Sequence, residues 1–138
     1  MIATGLNTKF VGRFLAGEAL DYDYKVALLA AGATVGPNLE SASELGSEEY
    51  EGEGYKAGGL PVGSLVIKSS GASHHALTFE IEPKWVGLLE PVAGCVFYAT
   101  QCVVGVVSFG KSLATGGGVF KLTMPPKEKG LFVIELEG

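Results

Sequence analysis

Arginine, cysteine, histidine and tryptophan are scarce in this chain, and each scarcity removes a class of function. Arg13 is the single arginine among 10 basic residues, which face 15 acids for a net charge of −5. A nucleic-acid module needs a basic stripe to displace counterions from phosphates. None is present, so no nucleic-acid partner is expected. Cys95 and Cys102 are the only cysteines, and their C-x6-C spacing matches no zinc motif. They read as two reduced, buried small hydrophobes, with a cross-strand disulfide as the alternative. Histidine is confined to His74-His75. Neighbours in an extended segment face opposite ways, so the two do not share a metal.

Other absences narrow the field further. The chain has no His-x-x-x-His, no Cys-His cluster and no G-x-S-x-G nucleophile elbow. Apolar runs such as Cys95–Ala99 are far too short to span a bilayer as helices. Lys9, Arg13 and Glu18 interrupt residues 1–20, which is not the pattern of a signal peptide. No catalysis, metal, cofactor or membrane partner is expected, and the chain reads as made in a cytoplasm. Charged residues make up only 18%, below the usual ~25%, and mean hydropathy is +0.32. Disorder is thereby excluded, and some apolar surface is expected to be covered by partners rather than water.

The 138 residues suit one domain. Leu6, Phe10 and Phe14 recur at helical spacing, widened by Val11 and Leu15, so residues 1–17 hold a short amphipathic helix. Asn7 or Thr8 caps it and Gly17 ends it. The period then becomes two: Tyr22, Tyr24, Val26 and Leu28 oppose Asp21, Asp23 and Lys25, as in a half-exposed strand. Residues 31–59 form a long Gly/Glu-rich connection, with one helical turn near Ser41–Leu45 and a capping box from Ser41 to Glu44. Six acids (Glu40, Glu44, Glu48, Glu49, Glu51, Glu53) fall there with no base between them. That run is either a solvated loop or an electrostatic docking surface; a calcium loop lacks its Asp/Asn spacing.

Everything after Gly59 reads as strand and turn. Leu60–Lys68 is one strand, Ser69-Ser70-Gly71 a turn, and Leu77, Phe79 and Ile81 alternate with polar residues until Pro83. Trp85 reads as a core plug at one end of the domain. Val92–Thr100 and Val103–Phe109 are near-continuous apolar runs, hence strands buried on both faces. Gly116–Gly118 makes a turn, Phe120, Leu122 and Met124 alternate, residues 125–130 turn again, and Phe132, Ile134 and Leu136 close the chain. About seven strands with turns every 8–12 residues make a mainly-β domain, an antiparallel β-sandwich of jelly-roll type. Gly52–Ala57 formally matches G-x-G-x-x-A. An acidic loop precedes it and Gly58-Gly59-Leu60-Pro61 cannot start a helix, so no dinucleotide is bound there.

Several of these segments, taken in order, resemble a known family. They are the helix leading into Leu15-Ala16-Gly17-Glu18-Ala19-Leu20-Asp21-Tyr22-Asp23, the strand Tyr24–Leu29, and Glu48–Gly59 with its G-Y-x-A-G-G segment at Gly54–Gly59. The Trp85 segment, an apolar strand pair and a terminal hairpin follow. In these features the chain is similar to short structural proteins of tailed bacteriophages, nearest to the capsid cement (decoration) proteins. The resemblance implies a non-enzymatic virion component on the outer surface of the capsid, assembled in the host bacterial cytoplasm. It further implies a homodimer bridging major capsid protein subunits. Contacts are expected from the helix (Phe10, Arg13) and the acidic loop (Glu44, Glu48, Glu49, Tyr50, Tyr55). The competing readings are a tail-tip or fibre-associated module and a carbohydrate-binding β-sandwich using Tyr50, Tyr55 and Trp85.

Overall fold

The computed structural model of the chain describes residues 1–18, 21–70, 74–114, 116–124 and 130–135. Antiparallel pairing dominates. A five-stranded sheet runs in the order β1 (Gly5–Leu6), β8 (Val103–Leu113), β7 (Val92–Tyr98), β2 (Tyr24–Ala30), β3 (Leu60–Gly63). A three-stranded sheet orders β10 (Phe132–Glu135), β5 (His74–Phe79) and β4 (Leu65–Ser70). A ribbon of β6 (Lys84–Val86) and β9 (Val119–Lys121) stands apart from both. The result is a mainly-β, β-sandwich-like fold with one short N-terminal helix, as the alternation of apolar residues predicts.

The helix, α1 (Thr8–Leu15), forms where the apolar spacing places it. Asn7 caps it by accepting from the Lys9 and Phe10 amides at 2.9 and 3.3 Å. The same side chain donates to the Pro37 and Leu39 carbonyls at 2.7 and 2.8 Å, which ties the helix start to the long connection. At the other end the Glu18 amide reaches the Arg13 carbonyl and the Gly17 amide the Phe14 carbonyl, the paired closure of a helix that ends on a left-handed glycine. Phe10 fills the core, whereas Leu15, assigned to the same stripe, is half exposed. Gly12 lies in the helix with open space where a Cβ would stand. Gly12→Ala is therefore expected to stabilise the protein by about 0.5–1 kcal/mol, read as a raised thermal midpoint.

Two apolar layers explain why the central strands are buried on both faces. One side of the five-stranded sheet (Val26, Leu28, Cys95, Phe97, Val104) packs on Leu65, Leu77, Phe79, Phe132 and Ile134 of the three-stranded sheet. The other side (Ala27, Leu29, Val96, Val103, Val106) is covered by Ala33, Val35 and Leu45 of the long connection, with Ile2 alongside. This corrects two expectations. β2 is not half exposed but buried from Val26 to Leu29, and the acidic connection is not a free solvated loop. Its few aliphatic residues anchor it as a third layer, and a Ser41/Glu44 capping box closes its short 3-10 turn at Ala42–Glu44, as expected. A register shift opposite Phe97 and Tyr98 puts Val103 and Val106 on one side despite their odd spacing.

The expected strand Leu60–Lys68 is in fact two, β3 and β4, in different sheets. The chain changes sheet at Gly63, whose φ of +76° is the left-handed region that favours glycine. Trp85 is buried, as a core plug should be. The expected turn at Ser69-Ser70-Gly71 does not begin at Ser69, because Ser69 and Ser70 continue β4 opposite His75 and His74. Gly71, residues 125–129 and Leu136 lie outside the described residues.

Both cysteines are buried and unbridged. Burial pushes the Cys95 thiol and the Tyr24 hydroxyl well above their ordinary values. Both are neutral when protonated. Their contribution is therefore fully present below the unfolded pKa values, about 8.5 and 10, and is lost as pH rises past them toward the raised folded values. The unfolding free energy is expected to fall steadily above pH 8.5, by about 1.4 kcal/mol per pH unit for each group once it titrates in the unfolded chain, read from urea denaturation midpoints across pH. Cys95→Ala should flatten the first part of that decline, between pH 8.5 and about 10.

Candidate functional site

The residues singled out from the sequence separate into three kinds of environment. Phe10 and Tyr50 are 0% and 3% exposed, so they are core residues and present no surface to a partner. Arg13 lies on the exposed side of α1, where it donates to the Tyr22 hydroxyl at 3.3 Å and sits 3.8 Å from Glu18. Glu44, Glu48, Glu49 and Tyr55 lie on the connection that covers the sheet, away from Arg13 in sequence and in hydrogen bonding.

These acids are not a simple solvated run. Glu44 accepts from the Glu40 and Ser41 amides at 2.9 and 3.1 Å. Glu48 accepts from the Thr34 amide at 2.6 Å. Glu49 accepts from the Tyr55 hydroxyl and, at 2.8 Å, from the Gly58 amide. Tyr55 in turn accepts from the Leu28 amide at 3.2 Å, so one phenol links the connection to the sheet. Burial first, then its bond to Glu49, raise the Tyr55 hydroxyl above its ordinary value, so it stays a donor. Glu40 pairs with Lys9 at 2.9 Å across an exposed surface, which contributes little. Glu51 and Glu53 are exposed and have no polar partner among the described residues.

A second surface was not singled out from the sequence. In the β6–β9 ribbon, Trp85 and Phe120 pair and point inward, with ring centroids 6.0 Å apart. Their neighbours must therefore point outward, and Val86 pairs with Val119 while Lys84 pairs with Lys121. Val86 and Val119 are 62% and 64% exposed, and Leu89 is 62% exposed beside Gly117. Bonds from the Gly87 amide to the Gly118 carbonyl and from the Gly117 amide to the Leu88 carbonyl hold the two segments together.

An apolar tip of three aliphatic side chains thus projects from the ribbon, with two lysines on the same outer face. Lys121 lies 3.6 Å from Glu82, and Lys84 has no ionic partner among the described residues. The acidic connection borders this tip, because Gly54 packs on the Val86 carbonyl and Tyr50 exchanges two 2.8 Å hydrogen bonds with the Glu90 backbone. The alternation Lys84-Trp85-Val86 and Val119-Phe120-Lys121 carries the signal for this tip, since an inward Trp and Phe leave both valines outside.

Among the described residues, no group of three or more His, Cys, Asp or Glu side chains is placed to hold a metal ion. His75 bonds the Ser69 hydroxyl at 2.8 Å and lies edge-on to Phe14. No helix among the described residues is long and apolar enough to cross a membrane. Comparison with known proteins returns no matching family model, no similar curated protein and no similar solved structure.

Proposed function

We propose that this chain is a non-enzymatic cement protein of a tailed-phage capsid, bound outside the assembled head as a homodimer that bridges major capsid protein subunits. The reading rests on the resemblance in the helix, the Gly54–Gly59 segment and the Trp85 segment. One structural observation supports it: apart from Met1 at the chain start, the most exposed large hydrophobic side chains among the described residues gather on the ribbon tip at Val86, Leu89 and Val119. Apolar side chains ringed by charge form the anatomy of a protein–protein contact. Lysines lie along one side of this tip, and the carboxylates of Glu51 and Glu53 belong to the connection that borders it. A protein that binds only the assembled lattice stabilises it by mass action, and two linked copies add occupancy without any single tight contact.

The test is co-sedimentation of the purified protein with heads stripped of it. Saturable binding at a fixed ratio to the major capsid protein is expected. Val86→Lys with Val119→Lys should weaken that binding at least tenfold while leaving the thermal midpoint nearly unchanged, since both side chains are exposed. Recovery with tails instead of heads would overturn the cement reading in favour of a tail module. Undiminished head binding by the double variant would remove the ribbon tip from the contact.

A further inference from the structure

Beside the Glu49 carboxylate lies a surface cavity of about 350 Å³, at the lower end of the range for ligand pockets. Its walls are small where they come from Ala27, Ala42, Ala57 and Gly58, and its polar groups include Glu49 and Tyr98. A donor and acceptor account defines what fits. Glu49 spends one oxygen, Oε2, on the Tyr55 hydroxyl and the Gly58 amide. Its Oε1 has no partner among the described residues, and no cation stands within ion-pair distance of it there. Tyr98 donates its hydroxyl hydrogen to the Gly58 carbonyl at 2.5 Å, which leaves only its oxygen lone pairs unspent. Both groups thus offer acceptors, and Glu49 adds a full negative charge.

The complement of such a site is a cation that has donors and no acceptor. Lysine and arginine side chains both qualify. Arginine binds carboxylates best through two parallel bonds to both oxygens, and here one oxygen is already committed. An ammonium needs only a point of negative charge, and its four-carbon stem prefers apolar walls such as the three alanines. The geometry points to this cavity as a receptor for a primary ammonium group, that of a lysine side chain on the protein partner. This assignment deepens the docking reading and depends on it for the identity of the protein that supplies the lysine. The lining stretch from Ala42 to Glu49 carries acids and no base, which favours cations near the mouth, while Lys25, paired with Tyr98, and Lys56, next to Ala57, flank the other side.

The experiment titrates Nα-acetyl-lysine N-methylamide into the full chain and follows backbone amide resonances. Saturable shifts are expected at Ala42, Ala57 and Gly58, weakened by salt and at least tenfold weaker with the norleucine counterpart. Glu49→Gln should reduce the affinity at least tenfold. Because that change also touches the Tyr55 bond, Ala57→Leu serves as a second variant. It fills the cavity from an exposed position, leaves the carboxylate network intact, and should abolish the shifts. Absence of saturable shifts, equal binding of norleucine, or tighter binding of the arginine counterpart would each overturn the assignment. Lysine binding by a protein that fails to bind heads would count against the cement reading alone, and head binding without lysine binding against the cavity alone.

Discussion

Gly59→Ala is expected to leave the chain without a cooperative native fold, the largest effect of any single methyl in the described residues. Gly59 has φ +76°, a conformation that costs other residues roughly 1–2 kcal/mol. That strain is the smaller part. A Cβ there would stand 1.7 Å from the Val26 carbonyl oxygen, 2.6 Å from its carbon and 2.9 Å from the Ala27 Cα. These are backbone atoms of the central strand β2, so no side chain can rotate away to make room. The clash is relieved only by lifting β3 off β2, which breaks the Val26–Leu60 and Lys25–Pro61 pairing. It would also displace neighbouring Gly58 from Glu49 and Tyr98. The expected cost exceeds about 4–5 kcal/mol, against a total stability of roughly 5–15 kcal/mol for a domain.

Far-UV circular dichroism and an amide spectrum of the purified variant read the outcome. Gly58→Ala is the control, because its φ of +93° imposes similar strain while the nearest group, the Tyr98 hydroxyl, is 3.4 Å away. It should fold, with a loss of about 1–2 kcal/mol. A native-like melt for Gly59→Ala would mean that β3 does not approach β2 this closely.

This glycine shows where legibility in the sequence ends. The β class, the Asn7 cap, the Ser41/Glu44 box and the inward Trp85 rest on local rules of period and capping, and local rules are visible in a string of residues. Gly59 looks like any turn glycine until β2 is laid beside it. The split of 60–68 was equally hidden, because nothing in Val62-Gly63-Ser64-Leu65 announces that the strand leaves one sheet for another. The acidic connection misled for a different reason. Its charge dominated the reading, whereas its position is set by Val35, Leu45 and Tyr50, three apolar residues too widely spaced to show a period.

The site followed the same division. Glu49 was singled out for its charge, yet its geometry depends on Tyr55, Gly58 and Tyr98, residues up to 49 positions away. The ribbon tip could have been found by asking which residues an inward Trp85 and Phe120 force outward. Phe10 sits on the apolar stripe that helical spacing marks and turns inward with it, so its expected contact comes from the resemblance alone, whereas Tyr50, in a segment without a period, carries no mark of which way it turns.

Phe97→Ala is expected to cost about 3–5 kcal/mol. Phe97 is nearly fully buried on β7, and its ring stacks on Phe79 at 4.9 Å with 6° between planes. It also meets Phe132 edge-on at 6.1 Å, and Phe79 continues the contact to Tyr24 at 5.4 Å. Phe79 and Phe132 belong to the three-stranded sheet, so Phe97, with Tyr24 beside it, carries the aromatic contact between the two sheets. Gly105 opposite it on β8 leaves the space that the Phe132 ring enters, since a Cβ there would stand 2.9 Å from that ring. Truncation therefore opens a cavity bounded by rigid strands, where collapse is difficult and cavities cost most. Urea denaturation should show the midpoint falling with little change in slope, and Phe97→Leu should lose less because it keeps most of the volume. The next residue, Tyr98, points to the other side of the sheet and holds Gly58 at the ammonium cavity. Loosening β7 on its core side should thus speed hydrogen exchange of the Gly58 amide beyond the global change in stability. Exchange that tracks global stability alone would mean that the sheet does not couple core to cavity.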